Sequence, residues 1–119
     1  MNLFRLIAGF FKRRGRREGE LVSLALKYKK PEPLIQHLMT TRETFIKWST
    51  RDYVSPSGRI TVCDDIYGYE VKIDGGELLD CAPSSYGLTR DTADRLYTAI
   101  LSCVPNSVAY HEKIKAELV

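Results

Sequence analysis

The spacing of apolar side chains changes twice along this chain, and this limits the folds that it can form. Up to residue 46 the apolar residues recur at helical spacing, between residues 51 and 73 they alternate as in strands, and after Thr89 the helical spacing returns. An order of helices, then strands, then helices is typical of an α+β fold. We therefore predict a small antiparallel meander of three or four strands, flanked by N-terminal and C-terminal helices.

Turn and cap residues set the predicted bounds of these elements. Gly15 and Gly19 predict a break and a short solvated connection after the first helix. Pro33 is suited to the first turn of a long helix that includes Phe45 and Ile46, and Thr89 is suited to cap a later helix. After the opening helix, which includes Leu3 to Phe11, one predicted helix covers 20–29 and another runs from Pro33 through Ile46. A helix after Thr89 stops at Pro105, and Asn106 or Ser107 caps a last helix that includes Leu118.

Turn sequences divide the central region into hairpins. The strands 51–54 and 59–64 flank a turn at Ser55–Gly58, and a third strand over 67–73 follows Asp64 and Asp65. A further turn at 74–76 leads into 77–81, which is predicted to be a fourth strand or a short helix. Neighbouring strands are therefore expected to pair with each other.

Charge is distributed unevenly along the chain. Residues 1–30 carry nine Lys and Arg against two Glu, a net charge of +7, whereas residues 31–119 carry a net charge of −4. We predict one domain over 1–119, with a basic amphipathic helix and connection at 1–19 and an α+β body at 20–119. A basic front joined to an acidic body favours either docking of one part on the other or two differently charged partner surfaces.

The opening helix has one apolar face, which something must cover. The apolar stretch is too short to span a bilayer, and its cations follow it, unlike those of a secretory signal. The face packs on the domain's own core, occupies a groove of a partner, or lies in a membrane interface. Its residues are Leu3, Leu6, Ile7, Phe10 and Phe11.

The basic run at 12–17 is predicted to be an electrostatic contact. Guanidinium groups bind phosphates and carboxylates in two-pronged geometry, so nucleic acid, an anionic membrane surface or an acidic protein would fit. The chain has none of the aromatic or metal-finger motifs that accompany base-specific readout. The candidate contacts in this run are Arg13, Arg14, Arg16 and Arg17.

Cysteine usage favours a reducing compartment. Cys63, Cys81 and Cys103 are widely spaced and form no C-x-x-C pair, and the chain has only two histidines. We therefore predict free thiols, a cytoplasmic location with peripheral attachment at the inner membrane face as the alternative, and no metal or cofactor.

One acidic group raises the possibility of catalysis. Glu70 and Lys72 form an E-x-K on a predicted strand, with Asp64 and Asp65 upstream. This arrangement resembles the PD-(D/E)-x-K nucleases, and the resemblance implies carboxylates that bind Mg²⁺ and a lysine that assists an attacking water. The alternative is that Glu70 and Lys72 occupy the solvent side of a strand.

These observations favour binding over catalysis. We expect a small intracellular binding protein, an adaptor or inhibitor of the kind that phages and mobile elements encode, with a protein as the favoured partner. The alternatives are the metal-dependent nuclease and a peripheral membrane protein anchored by the N-terminal helix. Tyrosine and arginine are enriched where interfaces carry energy, so Tyr53, Tyr67 and Tyr86 join the arginines as candidate contacts.

Overall fold

The computed structural model describes residues 3–79 and 86–117, and the side chains of 15–79 and 86–117. These residues form four helices and a five-stranded antiparallel sheet, which confirms the predicted α+β class with one strand more than expected. The helices are α1 (Leu3–Lys27), α2 (Glu32–Thr40), α3 (Arg90–Leu101) and α4 (Val108–Glu117). The strands are β1 (Ile46–Lys47), β2 (Asp52–Val54), β3 (Ile60–Asp65), β4 (Gly68–Ile73) and β5 (Gly76–Glu77).

The sheet is a meander in which each strand pairs with its neighbour in sequence, in the order β1-β2-β3-β4-β5. The predicted turn at Ser55–Gly58 joins β2 to β3. Asp64 and Asp65, however, lie inside β3, and the β3–β4 turn is made by Ile66 and Tyr67. Pairing between β3 and β4 runs over all six residues of each strand, so this hairpin is the centre of the sheet.

The two faces of the sheet differ in burial. Successive residues of a strand point to opposite sides, and one side is buried beneath α1, α2 and α3. We call this side the inner face; its residues are Tyr53, Ile60, Val62, Val71 and Ile73. The outer face consists of the alternate residues Val54, Thr61, Cys63, Glu70 and Lys72, all of them at least partly exposed.

The predicted break after the first helix is wrong, because α1 continues through Gly15 and Gly19 for 25 residues. Gly15 is buried, and a Cβ placed on it would lie 2.5 Å from the Cα of Ser57. The missing side chain thus lets α1 approach the β2–β3 turn. Glu18, only 1% exposed, fastens this contact by accepting hydrogen bonds from the backbone N–H and the hydroxyl of Ser57.

The predicted long helix after Pro33 is also shorter than expected. It ends at Thr40, and Thr41 has extended backbone angles. Phe45 is buried, its backbone N–H donates to the carbonyl of Cys103 at 2.8 Å, and Ile46 then enters the sheet. Contacts with the core and the sheet therefore override the helical spacing of Phe45 and Ile46.

The helices after the sheet begin at the predicted caps. The Thr89 side chain accepts a hydrogen bond from the backbone N–H of Thr92 at 3.2 Å, and Ser107 does the same for Tyr110 at 3.0 Å. Of the predicted fourth strand over 77–81, the structure describes 77–79, and of these only Glu77 belongs to β5, which begins at Gly76 in the predicted turn. These cap interactions satisfy backbone donors that have no partner within the helix.

The N-terminal apolar face and the side chains of Arg13 and Arg14 fall outside the described side chains, and so does whatever covers that face. The predicted packing of Leu3, Leu6, Ile7, Phe10 and Phe11 therefore stays a prediction. In the part of the chain that the structure describes, no helix combines the length and the apolar character needed to cross a membrane.

Candidate binding groove

An open groove of about 820 Å³ lies between α1 and the β2–β3 hairpin. One wall is the side of α1, the floor is formed by outer-face residues of β2 and β3, and Trp48 lines it with them. Cavities of a few hundred to about 1,000 Å³ are typical of sites that accept a ligand. The lining residues are Gly15, Arg16, Gly19, Trp48, residues 52–58 and Thr61.

Arg59 holds the two walls of the groove together. Its guanidinium donates to the carbonyl of Gly19 at 2.8 Å and to the hydroxyl of Ser23 at 2.6 Å. Asp74 binds the same guanidinium at 2.6 Å, and this hydrogen bond lowers the pKa of the Asp74 carboxyl. The helix and the hairpin are therefore joined by charge-assisted hydrogen bonds, and the groove is set by the fold itself.

Trp48 is the most prominent apolar side chain of the groove, with 63% of its surface exposed. Its backbone N–H donates to the carbonyl of Asp52 at 2.7 Å, and the Ser49 hydroxyl donates to the Asp52 carboxylate at 2.7 Å. The indole thus extends from a tightly hydrogen-bonded turn.

The outer face next to the groove carries acidic side chains. Asp52, Cys63 and Glu70 stand in register across β2, β3 and β4. Burial raises the pKa of the Cys63 thiol, and a hydrogen bond to Asp52 and the charges of Asp52, Asp65 and Glu70 raise it further. On the same face the ammonium of Lys72 lies 3.3 Å from the carboxylate of Glu70.

A second exposed apolar group lies at the same end of the sheet as Trp48. In a meander the β1–β2 and β3–β4 turns share one end, and the backbone N–H of Asp64 joins them by donating to the carbonyl of Arg51 at 2.7 Å. Ile66 and Tyr67 form the second turn, and Tyr67 is 92% exposed. Large apolar side chains in this position commonly mark a contact surface.

The three candidate tyrosines have different environments. Tyr67 is exposed, whereas Tyr53 is buried on the inner face, where its hydroxyl accepts from the side chain of Asn106 at 3.2 Å. Tyr86 is partly buried, and its hydroxyl bonds to the carbonyls of Ile73 and Gly76, which closes the β4–β5 turn. Burial raises the pKa of Tyr86. Tyr53 and Tyr86 thus support the fold, and of the three only Tyr67 is exposed.

The described arginines of the basic run are solvated. Arg16 and Arg17 both approach Glu20, at 3.8 and 3.9 Å, and both are well exposed. Exposed pairs of this kind contribute only about 0.3–0.5 kcal/mol on a helix, so these arginines are free to exchange Glu20 for another anion. Arg16 also lines the groove.

The candidate catalytic residues divide between the faces. Glu70 and Lys72 lie side by side on the outer face with 3.3 Å between carboxylate and ammonium, which matches the solvent-side alternative. Asp64 pairs with Tyr69 and points to the other side of β3, while Asp65 pairs with Gly68 at the turn. Within residues 3–79 and 86–117, no group of three His, Cys, Asp or Glu side chains is arranged to hold a metal ion.

Comparison with known proteins yields no match, whether to a family model, to a curated protein or to a solved structure. The groove residues that sequence reasoning missed are Gly19, Val54 and Thr61, together with the role of Gly15. These residues form a site only because α1 packs against the β2–β3 turn. In the sequence, the four-residue spacing of Gly15 and Gly19 on one helix was the one signal of that packing.

Proposed function

We propose that this protein is a small cytoplasmic binding module that holds a segment of a partner protein in the groove beside Trp48. The observation that supports this proposal is the groove itself, about 820 Å³ in volume, with the exposed indole of Trp48 at its margin. Tryptophan is enriched among residues that dominate binding energy, because it removes a large apolar area from water at little cost in conformational entropy. An adaptor and an inhibitor both act through such a surface.

The charges around the groove favour a protein over nucleic acid. Asp52 lines it, and Asp65 and the ion pair of Glu70 with Lys72 follow on the same face, so a phosphate backbone laid along the sheet would meet a net negative charge. Arg16 on the opposite wall is shared with Glu20. A mixed rim around an apolar floor is typical of protein interfaces.

The proposal is tested with a display library of random linear peptides selected against the full chain. Trp48 is the single tryptophan, so its emission reports occupation of the groove by tryptophan-free peptides. Val54→Lys places a charge on the floor and should weaken selected peptides by roughly tenfold or more, which is about 1.4 kcal/mol.

Val108→Lys is the matched control. Val108 is an exposed valine at the start of α4, is absent from the groove lining, and should leave peptide affinity unchanged. Melting curves of both variants establish that they fold. Selected peptides that leave Trp48 emission unmoved and bind the Val54→Lys variant with full affinity would refute the proposal.

A further inference from the structure

We propose that the partner segment held in the groove presents an arginine, whose guanidinium stacks on the Trp48 indole and pairs with the Asp52 carboxylate. This inference rests on the function proposed above and names the chemistry that the same site selects. Of the lining side chains that the structure describes, Asp52 is the one acid and Arg16 is the one base. A cationic side chain of the partner is therefore expected beside Asp52 and away from Arg16.

The strand register places Trp48 and Asp52 side by side in the groove. β1 pairs with β2 in antiparallel register from Ile46 and Val54 onward, and the 2.7 Å hydrogen bond from the Trp48 N–H to the Asp52 carbonyl continues this ladder. Directly opposed residues of such a ladder have Cβ atoms about 4.5–5.5 Å apart on the same face. An exposed indole and a carboxylate therefore border one position of the groove.

The Asp52 carboxylate is held in place and still able to bind a cation. The Ser49 hydroxyl donates to its Oδ2 at 2.7 Å, and the Cys63 thiol is a second hydrogen-bond partner. Both are neutral donors, and a carboxylate has about four acceptor positions. Within the part of the chain that the structure describes, no Lys or Arg forms an ion pair with Asp52, whereas Glu70 is paired with Lys72 at 3.3 Å.

An arginine satisfies this position better than a lysine or an apolar residue does. The guanidinium is planar, so it can lie flat on an indole while its N–H edge donates to a carboxylate in two-pronged geometry. Its methylene stem can lie along Val54, which shares the floor of the groove. An apolar side chain would instead remove Asp52 from water without a counter-charge, which is unfavourable.

Arg16 sets the orientation of the bound segment. It lies on the α1 wall and approaches Glu20 at 3.8 Å, and both side chains are well exposed, so solvent weakens this pair. The groove thus has a carboxylate on its strand side and a guanidinium on its helix side. A segment that carries an arginine is expected to direct it toward the β1–β2 turn, where Trp48 and Asp52 lie.

The test begins with the random linear peptides selected against the full chain. We expect arginine to be enriched at one position of the selected peptides. Citrulline at that position keeps the shape of arginine but replaces the guanidinium by a neutral urea, and it should weaken binding by about tenfold or more. Lysine should recover only part of this loss, because an ammonium lacks the flat fork. Trp48 emission and calorimetry measure the affinities.

A matched pair of variants locates the contact. Asp52→Asn should weaken the arginine peptide by about tenfold and leave the citrulline peptide nearly unchanged, because only the charged group loses its counter-charge. Asp91→Asn makes the same change on the exposed surface of α3, outside the groove lining, and should leave both affinities unchanged. Melting curves establish that both variants fold. If Asp52→Asn affected the two peptides equally, or affected neither, the inference would be overturned.

Failure of this inference is distinguishable from failure of the proposed function. Library peptides that depend on Val54 but show no enrichment of arginine, or bind equally well with citrulline in its place, would leave the groove its function and refute the arginine assignment. If no selected peptide shifts Trp48 emission or responds to Val54→Lys, both proposals are wrong.

Discussion

The inner and outer faces of the sheet are built from the same strands and differ in burial and in polarity. Val62, Val71 and Ile73 are buried beneath the helices, while Thr61, Glu70 and Lys72, their neighbours in sequence, remain in contact with solvent. The inner face stabilises the fold by removing apolar area from water. The outer face contributes little to that burial, so its side chains are free to serve binding. The predictions below test this division.

The largest expected effect is on stability, when one isoleucine on each face of the sheet is replaced by alanine. Ile60→Ala leaves a cavity in the core and should lower the free energy of unfolding by about 2–5 kcal/mol. Ile46→Ala removes the same atoms from a side chain that is 40% exposed and should cost less than about 1 kcal/mol. Urea unfolding of both variants measures the difference. Equal losses would show that the outer face is covered after all.

A smaller effect is expected at the boundary between the faces, where α1 meets the β2–β3 turn. Gly15→Ala places a Cβ 2.5 Å from backbone atoms of Ser57, so the turn must move, at a cost of about 1–3 kcal/mol. Gly19→Ala is the matched control, because its Cβ would lie 3.4 Å from the Ser57 side chain.

The control is expected to be neutral or to stabilise the protein slightly, since Ala is better than Gly inside a helix by up to about 1 kcal/mol. Thermal melting of the two variants compares them directly. If Gly15→Ala were as harmless as Gly19→Ala, Gly15 would act through helix propensity alone, and the close approach that forms the groove wall would be refuted.

Elements whose signals are local were predicted well from the sequence. The alternation in 59–64 and 67–73 yielded β3 and β4, the Ser55–Gly58 turn is where its Pro and Gly place it, and Thr89 caps α3. Each of these depends on residues a few positions apart, and the backbone preferences of those residues decide the outcome.

The candidate site could not be predicted in the same way. Glu18 and Ser57 are 39 residues apart in sequence, and their hydrogen bonds help to define the wall of the groove. In the sequence alone, Gly15 indicates a helix break. Its role in a close contact can be recognised only when the fold places Ser57 beside it. Tyr53 and Tyr67 are both predicted to lie in strands, and only the register of the strands places one in the core and the other at a turn.

The smallest expected effect concerns the reactivity of two thiols, one on the outer face and one in the core. Cys63 lies partly exposed on the outer face, and Cys103 is buried in the core. Burial raises the pKa of both thiols, and for Cys63 the carboxylate of Asp52 raises it further. Since the thiolate is the reactive form, alkylation of Cys63 by iodoacetamide should be slow at neutral pH and should accelerate as the pH rises.

Asp52→Asn tests the sign of this effect. Removing the negative charge should lower the pKa of Cys63, so that a larger fraction is thiolate at a given pH and the alkylation profile moves to lower pH. Cys103 should react only through opening of the core, at a rate that follows global unfolding in urea. A Cys81→Ser background leaves these two thiols to be followed separately by mass spectrometry. An unchanged profile in the Asp52→Asn variant would mean that the Asp52 carboxylate does not act on the Cys63 thiol and that burial alone raises its pKa.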